Sequence, residues 1–403
     1  MVARLDPDPA SAVVKRMGMK WTEKQKRKYW NSLKLVELKR FAEPYPTNDY
    51  FMATTQKGKE QWDKFWEGKG LKDKRYNGGE RRQILVLDES RLQYKIPQDE
   101  SVVFLDADTK EIFMVILRNF FPDDDLRMDF VSICREIIKY RRDDRREDPG
   151  QLVHFGYTCG SRHQPGMQLA KNCRKISPKN HRALNNASQG MAGIGWNMLR
   201  GRLPQEIIDD YNDTIEAIGC ARMDMGKTGD DTFAYNIGGE LVTFNEHGDL
   251  QLPPPSGLSA VNYARFTHKE NNGNKWFVAV TCIAASDSSI GGNFYNASYG
   301  IMMEAADNTV SAFQPSDYHG TTLYEIVLDP WPRDGYEQRP DGGENIGFSF
   351  EVSKGLRNAR KREWERQEYR KRHRPQRGGP RKRRSLYVSD VEPDHGSDDD
   401  YMP

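Results

Sequence analysis

The sequence predicts an α+β protein: short strands that close into a sandwich or barrel, braced from outside by helices. The strand half rests on four apolar runs, at residues 277–283, 299–303, 309–313 and 346–352, with turn residues such as Gly291 and Gly292 between them. Short strands punctuated in this way read as a closed sheet structure. The helical half rests on apolar residues at i, i+3, i+4 spacing, as in Phe130, Ile133, Cys134, Ile137 and Ile138. Composition limits how much of the chain can join the core. Of 403 residues, 30% are charged and only 36% hydrophobic, so part of the chain must be solvated. Three segments follow: a basic, aromatic-rich helical stretch over 1–95, a strand-rich domain over 96–356, and a basic then acidic tail over 357–403.

In the first segment, Thr22 caps a helix read over 22–35, and residues 61–67 form a second helix. Trp21, Trp30, Tyr45, Trp62 and Trp66 stand among many Lys and Arg. Such residues can stack on bases and neutralise phosphates, or pack two amphipathic helices on a core with a basic outer face, and the two readings are not exclusive. Residues 101–105 and 112–117 read as a hairpin, with Asp106 and Asp108 as turn chemistry rather than metal ligands. Asp123 to Asp125 cap a helix over 126–140, and the charge run 141–148 reads as a solvated helix end.

Residues 150–200 carry little pattern. Cys159, His163, Cys173 and His181 match no zinc spacing, the basic string 162–182 reads as a loop, and residues 192–199 lack a phosphate-loop lysine. Pro204 opens a helix over 205–218. Residues 232–237 and 240–244 form a hairpin about Gly238 and Gly239. The run from 357 can continue as a helix, and the rest of the tail is too polar to bury a core. Its cluster 377–384 suits nuclear import or nucleic-acid contact.

Several classes are excluded. No run of eighteen apolar residues occurs, so no transmembrane helix is expected. The N-terminus lacks the apolar stretch of a secretory signal. Five cysteines, widely spread and without C-x-x-C, argue for a reduced intracellular protein.

The candidate site lies between residues 262 and 322. His268 and Glu270 are two apart, so on a strand they face the same side. His319 follows another apolar run. Two imidazoles and a carboxylate, with coordination positions left open, form the facial triad that holds non-haem iron(II). The alternative is a solvent-facing pair and a loop histidine. Asn262, six residues before His268, falls on the ligand face, whereas Tyr263 falls on the opposite one unless the strand bulges.

The stretch Asn262-Tyr263, His268-Lys269-Glu270-Asn271-Asn272, Gly291-Gly292 and His319-Gly320-Thr321-Thr322 resembles the core of iron(II)/2-oxoglutarate dioxygenases. Within that superfamily it is most similar to the TET/JBP nucleic-acid base oxygenases, including their fungal branch. The resemblance spans about residues 100–356 and is strongest over 260–325. It implies a double-stranded β-helix of the jelly-roll or cupin kind, iron(II) on His268, Glu270 and His319, and 2-oxoglutarate as co-substrate. It also implies co-substrate contacts from Asn262 and Tyr263. The chain departs from the family twice. Glu270 stands where Asp is usual, and the last strand, entered through Glu344-Asn345-Ile346-Gly347, lacks the Arg that pairs with the co-substrate's far carboxylate. Arg265, Arg333 or Arg339 would have to serve instead. The expected function is oxidation of a methylated base, 5-methylcytosine or N6-methyladenine, in nucleic acid, with DNA held by the basic ends and the protein in the nucleus. The alternatives are a dioxygenase acting on protein or a small molecule, and an inactive β-helix that only binds nucleic acid.

Overall fold

The computed structural model describes residues 14–69, 82–141, 143–145, 148–160, 165–171, 176–223, 232–237, 240–245, 250–325 and 344–372. His163, Cys173, Arg333, Arg339 and the tail from 373 lie outside them.

Before the first sheet strand comes α1 (Glu23–Trp30), whose N-cap Thr22 forms a capping box with Gln25. The helix is shorter than the sequence reading, because Lys34–Leu38 becomes strand β1, pairing parallel with β5. The remaining early elements are β2 (Phe51–Ala53), α2 (Gln56–Lys69), β3 (Ile84–Val86) and β4 (Tyr94–Ile96). The hairpin β5 (Val102–Asp106) and β6 (Ile112–Arg118) is where expected. Asp106 spends its carboxylate on the turn, accepting from Asp108 N, Thr109 N and the Tyr299 hydroxyl.

Helix α3 (Asp124–Tyr140), capped by Asp123, matches its predicted bounds closely. After it come β7 (Gln151–Gly160), β8 (Pro165–Leu169), α4 (Pro178–Arg202) and α5 (Gln205–Ile218). Helix α4 is the largest departure from the sequence reading. Its glycines hide the helical pattern, and they are there for close packing. A Cβ on Gly190 would lie 2.5 Å from the Tyr235 ring, and one on Gly195 would lie 2.9 Å from that of Phe348. Then come β9 (Thr232–Ile237), β10 (Glu240–Asn245), β11 (Ser256–Val261), β12 (Phe277–Ile283), β13 (Phe294–Asn296), β14 (Ile301–Met303), β15 (Thr309–Phe313), β16 (His319–Thr321), β17 (Ile346–Phe350) and α6 (Lys354–Arg372).

Among the described residues a nine-stranded sheet runs β1-β5-β6-β15-β12-β17-β11-β7-β8, and a four-stranded sheet runs β16-β13-β14-β4. From β11 onward the chain alternates between them. It leaves β11 in the large sheet and crosses the small one near His268, which bridges His319. It returns as β12, crosses as β13 and β14, returns as β15, crosses as β16 and returns as β17. This to-and-fro winding is the double-stranded β-helix that the resemblance implied. The stretch before residue 96 supplies strands to both sheets, β1 to the large one and β4 to the small one.

One face of the large sheet packs Val153, Phe155, Val278, Val280, Phe348 and Phe350 against α3, α4 and α5 in the main core. The other face looks at the small sheet. There Phe104, Met114, Ile116 and Phe313 pack with Tyr299 and Ile301. Farther along that inner face Ala260, Ala279, Thr281 and Gly347 are part-exposed although they lie on central strands. Two of these positions carry only the small side chain of alanine. No described helix is long and apolar enough to cross a membrane.

Candidate metal centre

His268, Glu270 and His319 converge: their ligating atoms all lie within 4.8 Å of one another. They are the one such cluster among the described residues. Backbone pairing builds it. His268 N donates to His319 O and His319 N donates to His268 O, each at 2.9 Å, so the two imidazoles share one rung of a ladder. Their ring centres stand 4.4 Å apart. Glu270 N donates to Pro315 O and Thr321 N to Arg265 O, which extends the pairing on both sides.

The imidazole tautomers are fixed by the same backbone. His268 Nδ1 lies 2.8 Å from Phe266 O, and His319 Nδ1 lies 2.8 Å from Asp317 O. A carbonyl oxygen only accepts, so each Nδ1 carries the hydrogen and each Nε2 is left with a lone pair. Burial, reinforced by neighbouring positive charge, keeps both rings neutral: the His268 pKa is lowered, and that of His319 falls to about 3. Burial disfavours charge on Glu270 too, but its contacts with His268, Arg265 and His319 outweigh that and hold the carboxyl well below the usual range. Two acceptors, His268 Nε2 and Glu270 Oε1, therefore face each other at 3.2 Å. That arrangement is repulsive unless a cation sits between them, and the N,N,O donor set suits a divalent transition metal.

Arg40 and Asp317 support the centre, and sequence reading did not single them out. Arg40 Nη2 lies 2.5 Å from Asp317 Oδ1, and Asp317 is almost wholly buried. Asp317 in turn presents the carbonyl that orients His319. The signal was weak because Arg40 is one of many cations before residue 95, and only the fold carries it across to the small sheet.

The other candidates fall as follows. Arg265 lies beside the triad, its Nη1 3.7 Å from Glu270 Oε1 and 3.5 Å from the Tyr263 hydroxyl, and its Nε 3.9 Å from Asp148 Oδ2. Its Nε is buried without a hydrogen-bond partner. Burial opposes its charge, but the Tyr263 oxygen, Asp148 and Glu270 more than compensate and raise its pKa. Tyr263 donates to Asp148 Oδ2 at 2.8 Å and so belongs to this polar cluster. Asn262 has a φ of 48°, and its side-chain oxygen accepts from Asn345 N at 2.8 Å. That left-handed residue ends the strand alternation on which the facing of Asn262 and Tyr263 was predicted. At the start of the last strand Glu344 pairs with Arg135 at 2.9 Å.

The N-terminal aromatics settle one expectation. Tyr45, Phe51, Trp62 and Trp66 are buried, with Trp62 and Trp66 packed 5.0 Å apart in a core cluster. They are occupied by the fold and are not free to stack on bases. Exposed cations lie instead on α1, at Lys24, Arg27 and Lys28, and on α6, at Lys354, Arg357, Lys361, Arg362, Arg366 and Arg372.

No family model and no curated protein matches the chain. Solved structures similar to it include NgTET1 in complex with 5mC DNA, at 12% identity over 69% of this chain and 88% of that one, with a TM-score of 0.41. An oxidoreductase of the 2OG-Fe(II) oxygenase family from Burkholderia pseudomallei matches at 12% identity over 60% and 84%, TM-score 0.30. A viral collagen prolyl hydroxylase from Paramecium Bursaria Chlorella virus-1, a 2OG complex, matches at 9% over 59% and 94%, TM-score 0.26. With TM-scores below 0.5, these likenesses carry no argument about this chain.

Proposed function

We propose that this chain is an iron(II)- and 2-oxoglutarate-dependent dioxygenase that oxidises a methylated base in nucleic acid. The observation that carries the first half is the buried His268–Glu270–His319 cluster, with both Nε2 lone pairs free and turned on one carboxylate. When bound, iron(II) supplies dioxygen activation coupled to decarboxylation of the 2-oxo acid.

The chain's own residues have three tasks. His268, Glu270 and His319 hold the metal and leave positions open. Arg265, with an unused buried donor beside the triad, takes a carboxylate of the 2-oxo acid in place of the missing last-strand Arg. The small inner-face residues Ala260, Ala279 and Gly347 leave the room that co-substrate and target need. Nucleic acid as the substrate is supported by the exposed cations of α6, which begins three residues after Glu351 on the inner face. A base in duplex would have to be flipped out to reach the centre. The cationic run 377–384, outside the described residues, fits a role in nuclear import.

The test is succinate release by the full-length protein on a panel of oligonucleotides carrying 5-methylcytosine or N6-methyladenine, with His268→Ala as control. Succinate with methylated oligonucleotides alone supports the reading. Succinate with peptides alone moves the substrate to protein. DNA binding without turnover leaves an inactive binding protein.

A further inference from the structure

The inner face of β7, β11 and β17 carries a second polar group that the triad does not use. On β7, Val153 and Phe155 point into the helix-side core, so His154 between them points inward. Past the end of β17, Phe350 and Val352 point into the same core, so Glu351 points inward too. The register sets His154 opposite Leu258 and Leu258 opposite Ser349, which makes Glu351 a diagonal neighbour of His154.

The group is held from one side only. Asp144 Oδ2 lies 2.5 Å from His154 Nδ1, and the Asp144 backbone N donates to Leu152 O at 2.8 Å. His154 Nε2 lies 3.9 Å from Glu351 Oε1, too far for a hydrogen bond. The Glu351 carboxyl makes no hydrogen bond to any described residue, yet its side chain is only 13% exposed. Its oxygens are not shut off from solvent, so a ligand entering there can reach them. Burial first, then the charge of Glu270, pushes its pKa up to about 7, against the opposing pull of His154 and Arg145 and with a small push from Asp144. The carboxyl is therefore within range of the triad's field.

We propose that Glu351, beside the His154–Asp144 pair, recognises the exocyclic amino group of the substrate base: N4 of cytosine or N6 of adenine. This rests on the base-oxidising reading and names the part of the cavity that reads the base. A carboxyl oxygen accepts from an amino N–H in either protonation state, and the neutral form adds an O–H donor for the adjacent ring nitrogen.

The test uses full-length protein loaded with manganese(II), whose paramagnetism broadens the proton signals of any nucleoside bound near the triad. The probes are 5-methylcytidine and pyrimidin-2-one riboside, which lacks the amino donor. The wild type should bind the first about tenfold or more tighter than the second. Glu351→Gln, whose amide still pairs a donor with an acceptor, should keep that preference, and Glu351→Leu should lose it while still binding manganese. Wild-type protein that broadens neither nucleoside, or a Glu351→Leu variant that discriminates as well as wild type, overturns the proposal. If the preference behaves as expected but no methylated oligonucleotide yields succinate, the base-oxidising reading falls alone. If oligonucleotides are oxidised equally well by Glu351→Leu, only the role of Glu351 falls.

Discussion

The two walls that face each other across the inner cavity are built on opposite terms. On the small-sheet wall, the triad is held by backbone: His268 and His319 exchange main-chain hydrogen bonds, and each imidazole is tied through Nδ1 to a carbonyl two residues away. On the large-sheet wall and its margins, polar groups are left short of partners. The Glu351 carboxyl makes no hydrogen bond to a described residue, and Asn272 Nδ2 and Asn345 Oδ1 are buried unsatisfied. The first wall is finished before any ligand arrives. The second is completed only by what binds. A metal needs fixed donors with lone pairs aimed at one point, and backbone pairing supplies them by holding in place acceptors that repel each other until a cation binds. An organic ligand needs donors and acceptors not already spent, and a protein can offer those only by tolerating unsatisfied groups.

Breaking the finished wall should have the largest effect. His319→Ala should abolish iron(II) binding in calorimetric titration, and retention of wild-type affinity would remove His319 from the centre. Arg40→Gln reaches the same wall from outside. By loosening Asp317, whose carbonyl orients His319, it should weaken metal affinity by about 10- to 100-fold while circular dichroism stays unchanged. Unaltered affinity would mean that Asp317 is held well enough by its other neighbours.

The groups that meet an organic ligand should answer differently. Arg265→Lys keeps the charge but loses the planar fork, so the KM for 2-oxoglutarate should rise roughly tenfold with metal affinity little changed. An equal loss of both would assign Arg265 to Glu270 rather than to the co-substrate. Stability gives the subtlest contrast. Glu351 has a folded-state pKa raised to about 7 from 4.5, so its neutral form favours folding below the unfolded value, and that contribution is lost as pH rises through about 7. Metal-free Glu351→Gln should therefore match wild type near pH 4 and be more stable near pH 8, by on the order of 2 kcal/mol. Thermal melts at the two pH values measure this. A variant less stable than wild type at pH 8 would show that the carboxylate is well solvated or paired.

Legibility in the sequence followed locality. The hairpin at 101–117, the Asp123-capped helix and the helix after Pro204 depend on neighbouring residues, and all three were readable. Helix α4 was not, because its glycines answer to Tyr235 and Phe348, which are remote in the chain. The N-terminal aromatics read equally well as a binding surface or a core, since a strip of cations and rings has the same pattern in both. Burial chose the core.

By itself the sequence determined the strand ladder, several helix boundaries and the three side chains able to share a metal, because alternation, caps and donor chemistry are properties of short stretches. Only the tertiary structure decided that Arg265 comes to lie against Glu270, that Arg40 reaches Asp317, and that Glu351 faces the cavity with nothing to bond. The second of these joins positions 277 residues apart and the third depends on strands remote from one another in the chain, so no local pattern encodes them. They exist only once two sheets wind together and bring their inner faces within reach of each other.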